Sequence, residues 1–512
     1  MIGALGAALL RTWSAPRAAR FAAALADCEN VQRRTLARLV QPAAATEYAQ
    51  QFGLHPDDDV EAFRAKLPPV DYATLEPWIA REKTGSSDIL VPGSIRRFEP
   101  TSGSGGVNKL IPYNDPLLES FRSLFAIWAH DLLGQVLRLR SGRVFISVSP
   151  RLSPQTDARH DADYLSSPLR LLLAPFLVTP DHRSMQVDPL RFRDALARAL
   201  LHCADLEIIS IWSPTYLLVL LDHIEARREH LVPQLPAKRR RLLECDPIPW
   251  PQLWPRLQLV SCWSAAAAVL PAQELARRLP QALLQGKGLL ATEAPVTVPL
   301  VQAGGCVPLV DEVFLELEDA EGSLCLLHQA QPDCEYTLLI SQAGGLLRYR
   351  LGDRVRVTGH WRDTPLLDFV GRVDAVCDLV GEKLSEDQVA HALRSLLAPD
   401  AFALLVPMAT AEPPYYRLIT ELRDPDLPGR LDRALQAGHR YREARVLGQL
   451  APLRLSVIAD ARRVVHDFLV TDGILAGDIK DMALLHSLAR AGRLLVALDG
   501  IGYGASRLND AD

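Results

Sequence analysis

Apolar positions change their period several times along the chain, and each change marks a different kind of element. Residues 1 to about 90 carry helical spacing, broken at Pro42, Pro56 and the run Leu67, Pro68, Pro69, because proline lacks the amide a helix needs. Within them, 13–25 reads as an amphipathic helix of Ala, Arg and Leu. An extended stretch over 94–99, a Gly/Ser-rich loop and a second extended stretch over 109–113 follow. Asp115 and Pro116 open a long helix, with Asp as its cap and Pro in its first turn. Leu117, Phe121, Leu124, Trp128 and Leu132 recur at helical spacing and give it one apolar face.

Residues 144–148 predict a buried strand, 151–190 a loop-rich stretch, and 190–203 and 215–228 two helices. A strand over 257–262 leads into an Ala-rich helix starting at Ser264. This alternation of strands and helices predicts an α/β body. From 311 to 357 the period shortens to two with Gly at the turns, as in antiparallel hairpins. Tyr349 to Asp353 ends one such strand, placing Asp353 at a turn before a second strand over 355–357. After Gly371 the texture becomes a compact mixture of helix and strand, about the size of a small domain. The expected division is 1–373 for a large N-terminal domain and 374–512 for a small C-terminal one, with a connection over 372–378.

Composition narrows the classes. The chain has 512 residues, too many for one ordinary core, with 48% apolar and 23% charged positions and a formal net charge of −5. A nucleic-acid-binding surface needs clustered Lys and Arg, and the one dense basic run, Lys238 to Arg241, reads as a solvated turn. No apolar run approaches the ~18–20 residues of a membrane span. Met1 to Leu10 has no basic region before it, which argues against a secretory signal. Eight cysteines are scattered without CxxC spacing, which reads as buried, reduced thiols in a cytoplasm rather than a zinc site or disulfide framework.

Five segments carry candidate chemistry. The first holds Thr101, Ser102, Gly103, Ser104, Gly105 and Gly106, then Lys109. Glycines let backbone amides surround an anion, the hydroxyls add donors, and Lys109 adds a point charge. Neither a Walker loop nor a hydrolase elbow has this spacing. The second, from Gln285, ends in Thr292 and Glu293, a hydroxyl beside a carboxylate able to hold Mg²⁺. The third is Tyr349, Arg350, Leu351, Gly352, Asp353, whose carboxylate could accept two ribose hydroxyls. The fourth runs from Gly371 and Arg372 through Asp374, Asp378, Gly381 and Lys383 to Glu386, with the texture of a hinge. The fifth is Gly477, Asp478, Ile479, Lys480, a lysine in a turn.

In this order the segments resemble the adenylate-forming superfamily, whose series TSGTTGxPK, QGYGxTE, YRxGD, GRxD and a late lysine is matched by TSGSGGVNK, QGKGLLATE, YRLGD, GRVD and GDIK. Finer features resemble the bacterial form of the Gretchen-Hagen-three family of acyl-acid amido synthetases. These are Val70, Asp71, Tyr72; Pro77, Trp78, Ile79; Ile111, Pro112, Tyr113; Trp212, Ser213, Pro214; and Ser261, Cys262, Trp263. The resemblance spans residues 5 to 490. It departs at Gly105 and Asn108, which replace a Thr and a Pro, in the two extra residues before Glu293, and at Asp481 and Met482 after Lys480.

The resemblance implies an adenylate-forming fold: a large α/β body with mixed sheets and a hairpin-rich part, plus a small mobile α+β C-terminal domain. It implies a ligase that activates a small carboxylic acid with ATP and Mg²⁺ and passes the acyl group to an amine, commonly an amino acid. Thr101 to Gly106 and Lys109 would hold the β/γ-phosphates, Thr292 and Glu293 the nucleotide and Mg²⁺, and Asp353 the ribose. Arg372, at the hinge, would also bind the nucleotide, and Lys480, catalytic with Lys109, would reach the α-phosphate. Trp212, Tyr216 and Trp263 are candidates for the acyl pocket or for plain core. An acyl-CoA ligase and a non-catalytic acyl- or nucleotide-binding relative stay open as alternatives. No nucleic acid, membrane span or partner protein is expected.

Overall fold

A computed structural model describes residues 2–85, 88–101, 109–146, 176–179, 189–373, 375–474 and 476–498. The chain divides into two compact bodies. One comprises 5–138 and 287–374, and the other 1–4, 139–286 and 375–512.

The first body is built on a five-stranded antiparallel sheet. Its order is Leu324–Leu326, Phe314–Glu318, Glu335–Ser341, Tyr349–Trp361, Thr364–Arg372. Helices Cys28–Ala43, Val60–Lys66 and Tyr72–Glu82 share one apolar core with it. Asp59 and Asp71 start the last two by accepting the amides of Ala62 and Thr74, groups left unpaired at a helix start. Buried Gln32 is fully used: its amide donates to the carbonyls of Val310 (2.7 Å) and Val313 (2.8 Å) and accepts from the amide of Leu315 (2.9 Å). Leu67, Pro68 and Pro69 do stop the helix, and Val70 then pairs in parallel with Tyr349 at the sheet.

The second body carries a parallel sheet, Arg143–Ile146, Leu206–Ser210, Leu259–Ser261, Leu283–Gln285, in chain order. Helices Pro189–His202, Pro214–Ala226 and Val269–Arg278 lie between or beside these strands in sequence, the crossovers that parallel pairing requires. Its C-terminal part has a three-stranded sheet, Ala403–Met408, Tyr415–Thr420, Arg454–Val457. The helices Glu386–Leu396 and Leu427–Leu435 cover a core of their own there. Helix Ala461–Thr471 packs into the core of the parallel sheet instead.

Several expectations change in detail. The cap of helix Asp115–Gln135 is Asn114, whose side chain accepts from the amide of Leu117, so the chain turns one residue earlier than Asp115 implied. Asp353 does not sit at a turn. Tyr349–Trp361 is one strand, bent by a bulge at Arg354/Val355, and Gly352 takes the positive φ (80°) that broke the pattern in sequence. The basic run is helix Ala237–Leu243. Arg239 is buried in it and donates to the carbonyls of Leu201 (2.7 Å), Cys203 (3.3 Å) and Leu253, because the guanidinium can serve several helix-end carbonyls at once. The Ala-rich stretch makes a 3₁₀ turn before its helix starts at Val269. Helix Ile2–Ala24 begins well before residue 13 and leaves Trp13 exposed. All eight cysteines are free, and Cys245 and Cys334 are exposed rather than buried. No helix among the described residues is long and apolar enough to cross a membrane.

Candidate functional site

In the first body the strands Ile95–Pro100 and Leu110–Asn114 pair antiparallel, with Pro100 opposite Leu110. The amide of Thr101 donates to the carbonyl of Lys109 at 2.8 Å, so pairing continues one step further and brings the two ends of the Gly/Ser loop side by side. Ser102, Gly103, Ser104, Gly105 and Gly106 lie outside the described residues. Lys109 places its ammonium 5.7 Å from the centre of the Tyr72 ring, a cation–π distance, and the Tyr72 hydroxyl accepts from the amide of Leu110 (2.9 Å). Beside it, Asp71 accepts from the Thr74 amide (3.0 Å) and hydroxyl (2.9 Å). Those bonds, with a smaller contribution from the Lys109 charge, hold its carboxyl below the usual range.

Tyr113, fully buried on the second strand, joins this hairpin to the next candidate segment. Its ring stacks on Phe121 and its hydroxyl donates to the carbonyl of Thr292 at 2.6 Å. Glu293 is buried, and its backbone carbonyl accepts from the side chain of buried Gln342 (3.0 Å). Tyr349 is buried in turn. Burial above all, and then the Glu293 carboxylate, push its hydroxyl up, while Arg372 pulls the other way. Along the same strand, Asp353 is directly opposite Arg372, with Oδ1 3.1 Å from Nη1. Arg372 also donates to the carbonyl of Leu351 (3.3 Å), next to Gly352, which has no side chain to crowd the guanidinium.

One body thus holds Thr101, Lys109, Thr292, Glu293, Asp353 and Arg372, which are scattered from residue 101 to residue 372, and joins Thr101 to Lys109 and Asp353 to Arg372 directly. Tyr72, Tyr113, Gln342 and Tyr349 fasten them together and were not singled out from sequence. Tyr72, Tyr113 and Tyr349 did stand inside motifs that carried the family resemblance, which was the available signal. Gln342 had none.

Residues 17–241 match the GH3 family N-terminal domain, and residues 312–372 match the GH3 family central domain. Together the matches take in more than half the chain, and the second contains the strand pair of Asp353 and Arg372. This chain belongs to the GH3 family. Among curated relatives, the human GH3 domain-containing protein is 30% identical over 236 residues, 40% of this chain and 44% of that protein. Indole-3-acetic acid-amido synthetase GH3.8 of Oryza sativa subsp. indica is 25% identical over 519 residues, 84% of each. Among solved structures, the GH3.15 acyl acid amido synthetase in complex with 2,4-DB superposes with a TM-score of 0.80 at 18% identity, covering 95% of this chain and 96% of that one. A 2-hydroxyisobutyryl-CoA ligase in its postadenylation state reaches 0.58 at 14% identity, covering 92% and 91%. These two likenesses establish the mixed α/β fold.

In the second body of this GH3 chain, Trp212 and Trp263 follow the C-terminal ends of adjacent parallel strands, the edge where open α/β sheets bind ligands. The Trp263 amide donates to the Trp212 carbonyl (2.8 Å), and the two rings lie 5.7 Å apart. Tyr216 is buried one turn into the helix Pro214–Ala226. Lys480 follows the short turn Ala476–Asp478 and is exposed. Its neighbour Asp481 accepts from the hydroxyl of Ser213 (2.9 Å), the residue that caps the same helix. Burial pushes the Asp481 carboxyl up, against hydrogen bonds from Thr215 and Ser213. Glu386 is likewise pushed up by burial, to about 7, although it accepts from the amide of Ala483 (2.9 Å) and feels the Lys480 charge. Two carboxyls of raised affinity for a proton therefore flank the lysine.

Proposed function

We propose that this chain is an acyl-acid amido synthetase. It activates a small carboxylic acid as its acyl-AMP, with release of pyrophosphate, and then transfers the acyl group to an amine, an amino acid in particular. The observation that carries the reading is the gathering of the loop hairpin with Lys109, Glu293 and the Asp353–Arg372 pair on one body of a GH3 chain. The named activity of the rice relative, indole-3-acetic acid-amido synthetase, supports it over most of the chain's length.

In the first step the acid's carboxylate attacks the α-phosphorus and pyrophosphate leaves, chemistry that depends on positioning and charge neutralisation. The loop Thr101–Gly106 and Lys109 take the β/γ-phosphates, and Asp353, oriented by Arg372, takes the ribose. Lys480 meets the α-phosphate and the attacking carboxylate. Among the described residues no group of three or more His, Cys, Asp or Glu could hold a metal. Mg²⁺ keeps most of its ligands as phosphate oxygens and water, so one carboxylate, Glu293, would be its protein ligand. Bound there, the ion would neutralise phosphate charge. In the second step the amine attacks the acyl carbonyl, a C–N bond forms, and AMP leaves with the electrons of the C–O bond.

Trp212, Tyr216 and Trp263 wall the acyl pocket in this reading. Residues 1–373 form the domain for ATP and acid, 374–512 the smaller domain, and 372–378 the hinge. The reading assigns the chain to the family's bacterial branch and to the cytoplasm, which supplies ATP and free amino acids.

ATP–pyrophosphate exchange over a panel of aryl and alkyl acids tests the first step. Exchange that depends on one acid class and collapses in Lys109→Ala and Asp353→Ala supports it; tight ATP binding with no exchange across the panel favours a non-catalytic relative. Adding amino acids or CoA to the same mixture separates amide formation from thioester formation. The second outcome is kept in view by the CoA-ligase fold likeness.

A further inference from the structure

Helix Ile2–Ala24 presents a row of large apolar side chains to water: Leu5, Leu9 and Trp13 are 65%, 64% and 63% exposed. They recur every fourth residue and so stand on one face, filled in by exposed Ala8, Thr12 and Pro16. Buried Ser14 and Phe21 mark the opposite side, which faces the protein. From Ile2 to Leu10 every residue is apolar, and a helix apolar all round belongs inside a protein or in lipid. Only one side of this helix is inside the protein. Its charge is of one sign: no acid occurs up to Ala26, while Arg11, Arg17 and Arg20 punctuate the second half. Arg17 turns to Asp311 (2.9 Å) and Glu312 (2.8 Å), whereas Arg11 and Arg20 are exposed. Arg20 stands two turns beyond Trp13, in line with the apolar face.

We propose that this outward face docks the protein on an anionic bilayer surface, with Leu5, Leu9 and Trp13 entering the outer acyl region and Arg11 and Arg20 reaching the lipid phosphates. A helix of this kind lies in the plane of the interface, its apolar side chains sunk ~5–10 Å below the headgroups. Tryptophan suits that depth, because its ring is apolar and its N–H meets the polar boundary. Arginine stems follow the apolar side chains and deliver their charge to the headgroups. The helix lies on the membrane and does not span it, since no described helix is long and apolar enough to cross one. A second copy of the chain fits this face less well. The three large side chains expose roughly 400 Å², against the ~800 Å² per partner that a stable interface buries. A two-fold pairing of the helix with itself would also bring arginines together, with no acid up to Ala26 in either copy to balance them. An anionic surface supplies that counter-charge. The docking needs no assumption about the reaction catalysed.

The full chain is sedimented with vesicles of phosphatidylcholine alone and with vesicles in which phosphatidylglycerol replaces part of it. The wild type should pellet with the anionic vesicles at low salt, release as salt rises, and stay in solution with the neutral ones. Leu9→Glu should weaken binding by about ten- to hundredfold, the effect of withdrawing one leucine from the acyl region. Arg11→Gln combined with Arg20→Gln should weaken it by about tenfold or more and flatten its salt dependence. Trp13→Leu should still bind but lose the blue shift of tryptophan emission that the wild type shows on the vesicles. Urea midpoints report the fold of each variant, and these exposed positions should leave them near the wild type. The arginine pair carries the test if Leu9→Glu lowers its own midpoint. Binding that ignores lipid charge, equal binding by the wild type and the variants, or no binding at all overturns the docking. So does a dimer in analytical ultracentrifugation that Leu9→Glu dissociates, which would give the face to a second copy.

Discussion

Asp353 and Arg372 face each other as a direct cross-strand pair, Oδ1 to Nη1 at 3.1 Å, with the carboxylate nearly inaccessible and the guanidinium partly exposed. The pairing turns the end of one sequence motif and the start of another into one fixed unit. A buried carboxylate needs such an anchor, because an unpaired buried charge would neutralise itself.

Arg372→Ala should therefore raise KM for ATP in pyrophosphate exchange and also cost about 1–3 kcal/mol of stability by leaving Asp353 short of a donor. Asp353→Asn should raise KM for ATP at a smaller cost in stability. Denaturant midpoints measured beside the kinetics separate the two; equal behaviour of both variants would refute the anchoring role.

Lys480→Ala should slow acid-dependent exchange by about 10²–10³, the usual cost of one preorganised charge in a transition state. Lys109→Ala should act chiefly on KM for ATP and pyrophosphate. Unimpaired exchange in Lys480→Ala would remove that lysine from the first step.

Arg348 and Glu316 form a buried bidentate pair, 2.8 and 2.9 Å, and Arg348 also donates to the carbonyls of Arg64 (3.1 Å) and Leu67 (2.5 Å). Arg348→Met should destabilise the protein by about 3–5 kcal/mol, because Glu316 stays behind with a single cation, Arg64, at 3.1 Å. Urea unfolding measures it, and a loss below about 1 kcal/mol would show the pair to be dispensable.

The carboxyl of Glu386 binds its proton more tightly in the folded chain, at about 7 against an ordinary 4.5, because burial disfavours its charge. A raised carboxyl pKa contributes stability that is present below the unfolded value and lost as pH rises through the folded one. Between about pH 4.5 and 7 the wild type should thus lose stability relative to Glu386→Gln, which cannot ionise. Unfolding free energies of both proteins at pH 4.5, 6 and 7.5 test this, and parallel curves would contradict it.

Helix ends were legible because they depend on neighbours in the chain: Asp115 and Pro116 marked a helix start to within one residue of its cap, Asn114, and Pro68 ends a helix by lacking an amide. The hairpin around the Gly/Ser loop was legible for the same reason, to within a residue at each strand. Asp353 was misread as a turn residue because Gly352 next to it has the positive φ that turns also use, and only pairing with Thr364–Arg372 reveals a bulged strand. Arg239 was misread because a run of basic residues carries no mark of the carbonyls that one of them will meet.

The sequence by itself determined the kinds of element, their order, and the chemistry each motif can offer, since period, caps and turn residues act over a few positions. Tertiary structure alone decided which of these meet. It set Val70 beside Tyr349, the hydroxyl of Tyr113 on the carbonyl of Thr292, and the carboxylate of Asp353 against Arg372. Such contacts join residues far apart in the chain, and close packing and hydrogen-bond satisfaction across the whole core select them.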